Sequence, residues 1–252
     1  MTICAIAVGA ACLAAIAHEA IGHGCACLVA GGHIVRLTSV YFDCDVRSVW
    51  IAPAGPAGNL AAGTLAWALL KILPGGQPRA RLLLLLIMAF SLFWAAGYLL
   101  YSMTLGIGDW AIAARDAFGP PEWRWKLAGW ALGLLLYGVT VRETVRAARP
   151  FSADTEARSG SRAQSMLRLS WTAAALSACL AAALYAPDRL GAIGQAALEI
   201  GAGSLPMLAL RPRSADRIEP ALTRSGLWIT LGALLFLGFA ATLGRGVRTV
   251  PG

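Results

Sequence analysis

The chain has 252 residues, 58% hydrophobic and only 13% charged, with a mean hydropathy of +0.66 and a net charge of +8. Soluble domains carry about a quarter charged residues, so this composition excludes an ordinary soluble domain. The basic balance does not signal nucleic acid either: the arginines lie between apolar runs, where they face lipid head groups and set topology, and no nucleic-acid-binding motif is present.

Several runs approach or exceed the roughly 18 apolar residues that cross a bilayer as helix, so the fold class is an all-α polytopic membrane protein. Residues 3–30 form the first helix and end at Gly31-Gly32. Ala15-Ile16-Ala17 resembles a signal-peptide cleavage site, but no basic segment precedes it, and the helix is expected to stay uncleaved. Residues 33–50 alternate β-branched or aromatic residues with Arg36, Thr38, Asp43, Asp45 and Arg47, which predicts two short strands turning near Asp43-Cys44-Asp45.

Residues 51–73 form the second span, opening with Pro53-Ala54-Gly55-Pro56-Ala57-Gly58-Asn59. Residues 82–103 form a third, free of charge, with Asp109 just beyond it. Trp123-Arg124-Trp125-Lys126 anchors a fourth over residues 127–141. Residues 169–186 and 226–243 complete six spans. Residues 190–210 are long enough to cross but carry Gln195, Glu199 and Pro206, so a seventh stays open. With six spans the two sides collect 11 and 10 Lys/Arg, and the positive-inside rule does not choose an orientation. The six cysteines show no CxxC pair and no disulfide framework; Cys25-Ala-Cys27, though close to His23, reads as packing.

The first helix carries the chemistry. Two of the three histidines lie in Ala17-His18-Glu19-Ala20-Ile21-Gly22-His23-Gly24, beside a glutamate. Ionisable groups in a membrane segment cost several kcal/mol, by order of magnitude, unless compensated. Zinc is a natural compensation: it takes imidazole ligands and keeps a position for water, whose proton an adjacent glutamate can accept. The usual zinc-protease motif spaces its histidines four apart; here they are five apart. Five residues rotate a regular helix by about 500°, leaving the rings about 140° apart. A single wide turn brings such positions toward one face, and Gly22 and Gly24 make that distortion cheap. For a third ligand, Asp109 beside Gly106 and Gly108 is better placed than His33, Asp43 or Asp45; Asp116 and Glu122 read as ordinary loop acids.

This order of motifs resembles the site-2 protease group of intramembrane zinc metalloproteases: a metal motif in the first helix, Gly-Gly with a β-like stretch, Gly55-Pro56-Ala57-Gly58-Asn59 opening a helix, and an Asp after the next. The resemblance covers residues 1 to about 117, a metalloprotease-like core; residues 118–252 supply further helices and basic loops matching nothing specific. It implies Zn2+ on His18, His23 and Asp109, Glu19 as general base, and Asn59 near the substrate or oxyanion. The string His18-Glu19-Ala20-Ile21-Gly22-His23 also resembles the H-E-x-x-x-H motif of soluble modulator-of-gyrase-type metalloproteases, in which that spacing holds zinc. The expected activity is hydrolysis of peptide bonds in transmembrane or membrane-associated protein substrates, at home in the lipid bilayer of a cell membrane. The alternatives are a catalytically inactive scaffold of the same fold and, less favoured by the scarcity of polar residues in its spans, a transporter.

Overall fold

A computed structural model of the chain describes residues 1–120, 122–152, 159–213 and 219–247. Among the described residues the fold is a helical bundle with one small antiparallel hairpin. Helix α1 (Thr2–Ala15) runs through a wide-turn π segment (Ile16–Gly24) into α2 (Cys25–Val29), one continuous rod. Strands β1 (Ile34–Leu37) and β2 (Phe42–Cys44) follow. Then come α3 (Ile51–Ile72), α4 (Pro78–Leu105), α5 (Asp109–Phe118), α6 (Glu122–Ala148) and α7 (Ser159–Ala182). Helix α8 (Arg189–Ala196) continues into a second wide-turn segment (Ala197–Ala202), and α9 (Gly226–Phe239) closes the described chain with a last wide turn (Ala240–Gly244).

Among the described residues, four helical stretches are long and apolar enough to cross a membrane: Thr2–Val29, Pro78–Leu105, Arg162–Ala182 and Gly226–Gly244. Helices α3 and α6 form where spans are expected, but Pro, Gly and Asn dilute the first and charged ends interrupt the second, so both fall short by composition. By length and composition, four of the six expected spans are met.

The core lies between α1 and α4. Ala7, Ala10 and Ala14 give α1 a smooth face, against which Phe90, Phe93 and Trp94 of α4 pack with almost no exposure. Apolar side chains gain little by leaving lipid, so close contact through small residues is what such a bundle uses. Helix α9 instead turns Leu227, Leu231, Leu234 and Leu237 outward.

The two ends of the bundle are tied by different contacts. At the hairpin end, Leu37 exchanges backbone hydrogen bonds with Val247, Tyr41 Oη donates to Asp188 at 3.0 Å, and Leu99, Met103 and Trp125 join the end of α4 to the start of α6. At the far end, Arg81 pairs with the buried Glu219 at 3.0 Å, the Glu219 amide donates to Pro150, and the Ser225 amide donates to Thr2 Oγ1.

Two expectations for the hairpin are corrected. Its turn lies at Ser39–Val40, not at Asp43-Cys44-Asp45, because Thr38 Oγ1 accepts from the amides of both Val40 and Tyr41 and folds the chain there. The register then sets Arg36 opposite Asp43, with Nε 2.7 Å from Oδ2. The second correction concerns the cysteines. Cys27 and Cys44 form a disulfide, pinning β2 to the end of α2. Their separation of 17 residues follows no local pattern; only the hairpin folding back over Gly31-Gly32 brings them together.

Candidate metal centre

The segment Ile16–Gly24 is wound as a nine-residue π helix, so residues five apart fall on one side. His18 and His23 consequently face each other with ring centroids 5.0 Å apart and planes nearly perpendicular. Helix α3 lies directly against this turn: a Cβ on Gly58 would collide with the Ala17 carbonyl, and one on Gly55 with the His23 ring.

Asp109 arrives from elsewhere. Gly106 (φ +68°) and Gly108 (φ +84°) adopt left-handed backbone that lets the chain leave α4 and start α5 at once. The Asp109 amide donates to Tyr98 Oη at 3.2 Å, and its Oδ2 lies 3.4 Å from His18 Nε2 and 3.3 Å from His23 Nε2. One ligand atom from each of the three residues falls within 4.8 Å of the others. Burial opposes charge on the Asp109 carboxyl, but the two imidazoles outweigh it and hold it well below the usual carboxylate range.

Each imidazole is supported from behind. His23 Nδ1 lies 2.8 Å from the Ile51 carbonyl, which fixes that nitrogen as the donor and leaves Nε2 free toward Asp109. Phe42 of β2 stacks on the His23 ring at 5.3 Å. His18 stacks on Trp94 with centroids 4.6 Å apart, and its Nδ1 lies 3.0 Å from Asn59 Nδ2; turning that amide about its last torsion presents the unpartnered Asn59 Oδ1 to an Nδ1–H, the arrangement a metal on Nε2 requires. Asn59 is fully buried behind His18 and does not line the cavity in front of it.

That cavity is a chamber of about 840 Å3, walled by His18, Glu19, His23 and Asp109, by β2, and by Ser48, Val49, Ile51 and Ala52. Glu19 is buried at 3% exposure and its Oε2 has no hydrogen-bond partner. A buried carboxylate oxygen left unpaired at the edge of a cavity is costly unless a ligand meets it.

The other candidate ligands lie away from this group. His33 bonds Asp45 at the base of the hairpin, Nδ1 to Oδ2 at 3.1 Å, and Asp43 is taken by Arg36. Cys25 is exposed and free, while Cys27 and Cys44 cannot ligate through sulfurs already joined. Two residues that sequence reasoning passed over face the chamber, Gln195 and Glu199. A signal for Glu199 existed: an acid within an apolar stretch marks a functional position. It counts against a span when only hydropathy is weighed.

The donor set suits zinc: two imidazoles and a carboxylate, with a second carboxyl beside them. Compared with models of known protein families, with curated proteins and with solved structures, the chain matches none.

Proposed function

We propose that the protein is a zinc-dependent intramembrane peptidase that hydrolyses peptide bonds of membrane-associated substrates. The observation that carries this reading is the wide turn in the first helix, which lets histidines five apart converge on Asp109 with Glu19 beside them. His18, His23 and Asp109 hold the metal. When bound, it supplies Lewis acidity to a water molecule and to the substrate carbonyl.

The chain's own groups do the rest. The Glu19 carboxylate accepts a proton from water while the water oxygen bonds to the carbonyl carbon. As the C–N bond breaks, Glu19 returns that proton to the leaving nitrogen. Asn59 and the Ile51 carbonyl hold the two rings in register, so Asn59 is a positioning residue in this account. Strand β2 lines the chamber and offers an extended edge to an unwound substrate.

The test is hydrolysis of synthetic transmembrane peptides by the purified, zinc-loaded protein, beside Glu19→Gln. The substitution is expected to lower cleavage by about 10²- to 10⁴-fold, the usual size of general-base loss, with zinc content unchanged. Cleavage that persists at the wild-type rate removes Glu19 from the mechanism.

A further inference from the structure

The chamber does not end at the histidines. Tyr98, Gln195 and Glu199 line both it and a second hollow of about 240 Å3, completed by Trp94, Tyr101 and Tyr137. We propose that this hollow is a subsite for a basic side chain of the substrate, with Glu199 as its counter-charge; this rests on the peptidase reading of the chamber.

Glu199 sits on the wide-turn segment Ala197–Ala202 and is buried at 7% exposure. Its Oε1 accepts from Gln195 Nε2 at 2.8 Å, and its Oε2 has no partner. A desolvated carboxyl with one amide partner lacks a counter-charge, and a guanidinium or ammonium supplies both the charge and the missing donor. The walls fit the same occupant. The Tyr137 hydroxyl is spent on the Gly203 carbonyl at 2.9 Å, so its ring and not its polar atom serves the hollow. Aromatic faces beside a carboxylate are a cation site. Membrane substrates carry Lys and Arg at the borders of their apolar stretch, so a basic residue beside the scissile bond suits a chamber at one end of the bundle.

The zinc-loaded protein is titrated with n-butylguanidinium and with uncharged n-butylurea, and Glu199→Gln is titrated likewise with zinc content measured. Guanidinium binding at least about tenfold tighter than urea, lost in the variant with zinc retained, is expected. Equal affinity for the two ligands in the wild-type chain overturns the subsite whether or not the variant folds. A second arm digests peptides carrying Lys, Arg or norleucine around the bond and reads products by mass spectrometry. Cleavage indifferent to the basic residue overturns the subsite and keeps the peptidase reading. No cleavage, with guanidinium binding intact, overturns the peptidase reading and leaves a cation site.

A different observation sets the orientation. Seven stretches run between the two ends: the first helix, α3, α4, α6, α7, residues 189–208 and α9. Residues 189–208 join the hairpin end through Asp188 and Tyr41 to the far end, where Arg168 Nε donates to the Leu208 carbonyl at 2.8 Å. Among the described residues the far end then holds eleven Lys and Arg, from Lys71, Arg79 and Arg81 through the α6–α7 connection to Arg224, and the hairpin end seven. The Cys27–Cys44 disulfide lies at the less basic end. Disulfides persist in oxidising compartments, and the more basic side stays in the cytoplasm. We infer that the chamber opens on the extracytoplasmic face and acts on the outer border of its substrates.

Single cysteines at exposed Gly75 and Phe118, with Cys4, Cys12, Cys25 and Cys179 changed to Ser, test this with a membrane-impermeant maleimide. Phe118→Cys is expected to label on intact cells and Gly75→Cys only after permeabilisation. The reverse pattern overturns the orientation.

Discussion

Gly55 has no room for a side chain, because the His23 ring occupies the place a Cβ would take. Gly55→Ala must push His23 out of line with His18 and Asp109 or lift α3 from the wide turn. Zinc affinity is expected to fall by about 10- to 100-fold, the effect of disturbing a ligand's support, read by competition with a chelator; unchanged affinity shows that α3 gives way and His23 keeps its place. At this scale much of the site was legible. Two histidines and a glutamate stand out in an uncharged run, and Asp109 stands out as a lone acid among glycines beyond a helix. Asn59 was legible as a polar residue of the site but not in its placement: the sequence cannot show that its amide lies behind His18 and not in the chamber. Glu199 was visible only as a flaw in an apolar stretch, since its meaning depends on residues 189–202 folding beside the first helix.

The wide turn is the element on which the site depends. Its need could be derived from rotation alone, because a regular helix sets residues five apart on diverging faces, and the glycines at 22 and 24 permit the distortion. The hairpin was legible in kind and misplaced in detail. Alternation of residue types marks strands, whereas the turn is decided by the Thr38 hydroxyl, which accepts two amides. The disulfide was not legible, because Cys27 and Cys44 meet only after β2 folds onto α2. It holds Phe42, the residue stacked on His23, to the helix that carries the ligands, so the hairpin is part of the site's frame.

Across the whole molecule, the helical membrane architecture follows from hydropathy, but the number of crossings does not. Helices α3 and α6 and residues 189–208 fall short of a span by composition, yet they carry buried polar groups, Asn59, Thr140, Thr144 and Glu199, that single-segment hydropathy undervalues. In the seven-crossing reading proposed for the orientation, the last loops change sides, and the 11-to-10 balance of six crossings becomes eleven against seven among the described residues. The account also gives residues 118–252 a part in the site, through Gln195 and Glu199, where the resemblance left them without one.

The central claim is that the first helix, wound wide, holds a metal with Asp109. Metal content of the purified protein by mass spectrometry, beside a His18→Ala, His23→Ala double variant, tests it most directly. The account predicts about one zinc per chain, as for a site with three protein ligands, and its loss in the variant. No bound metal in either protein after reconstitution with zinc would contradict it and leave the two histidines as packing groups.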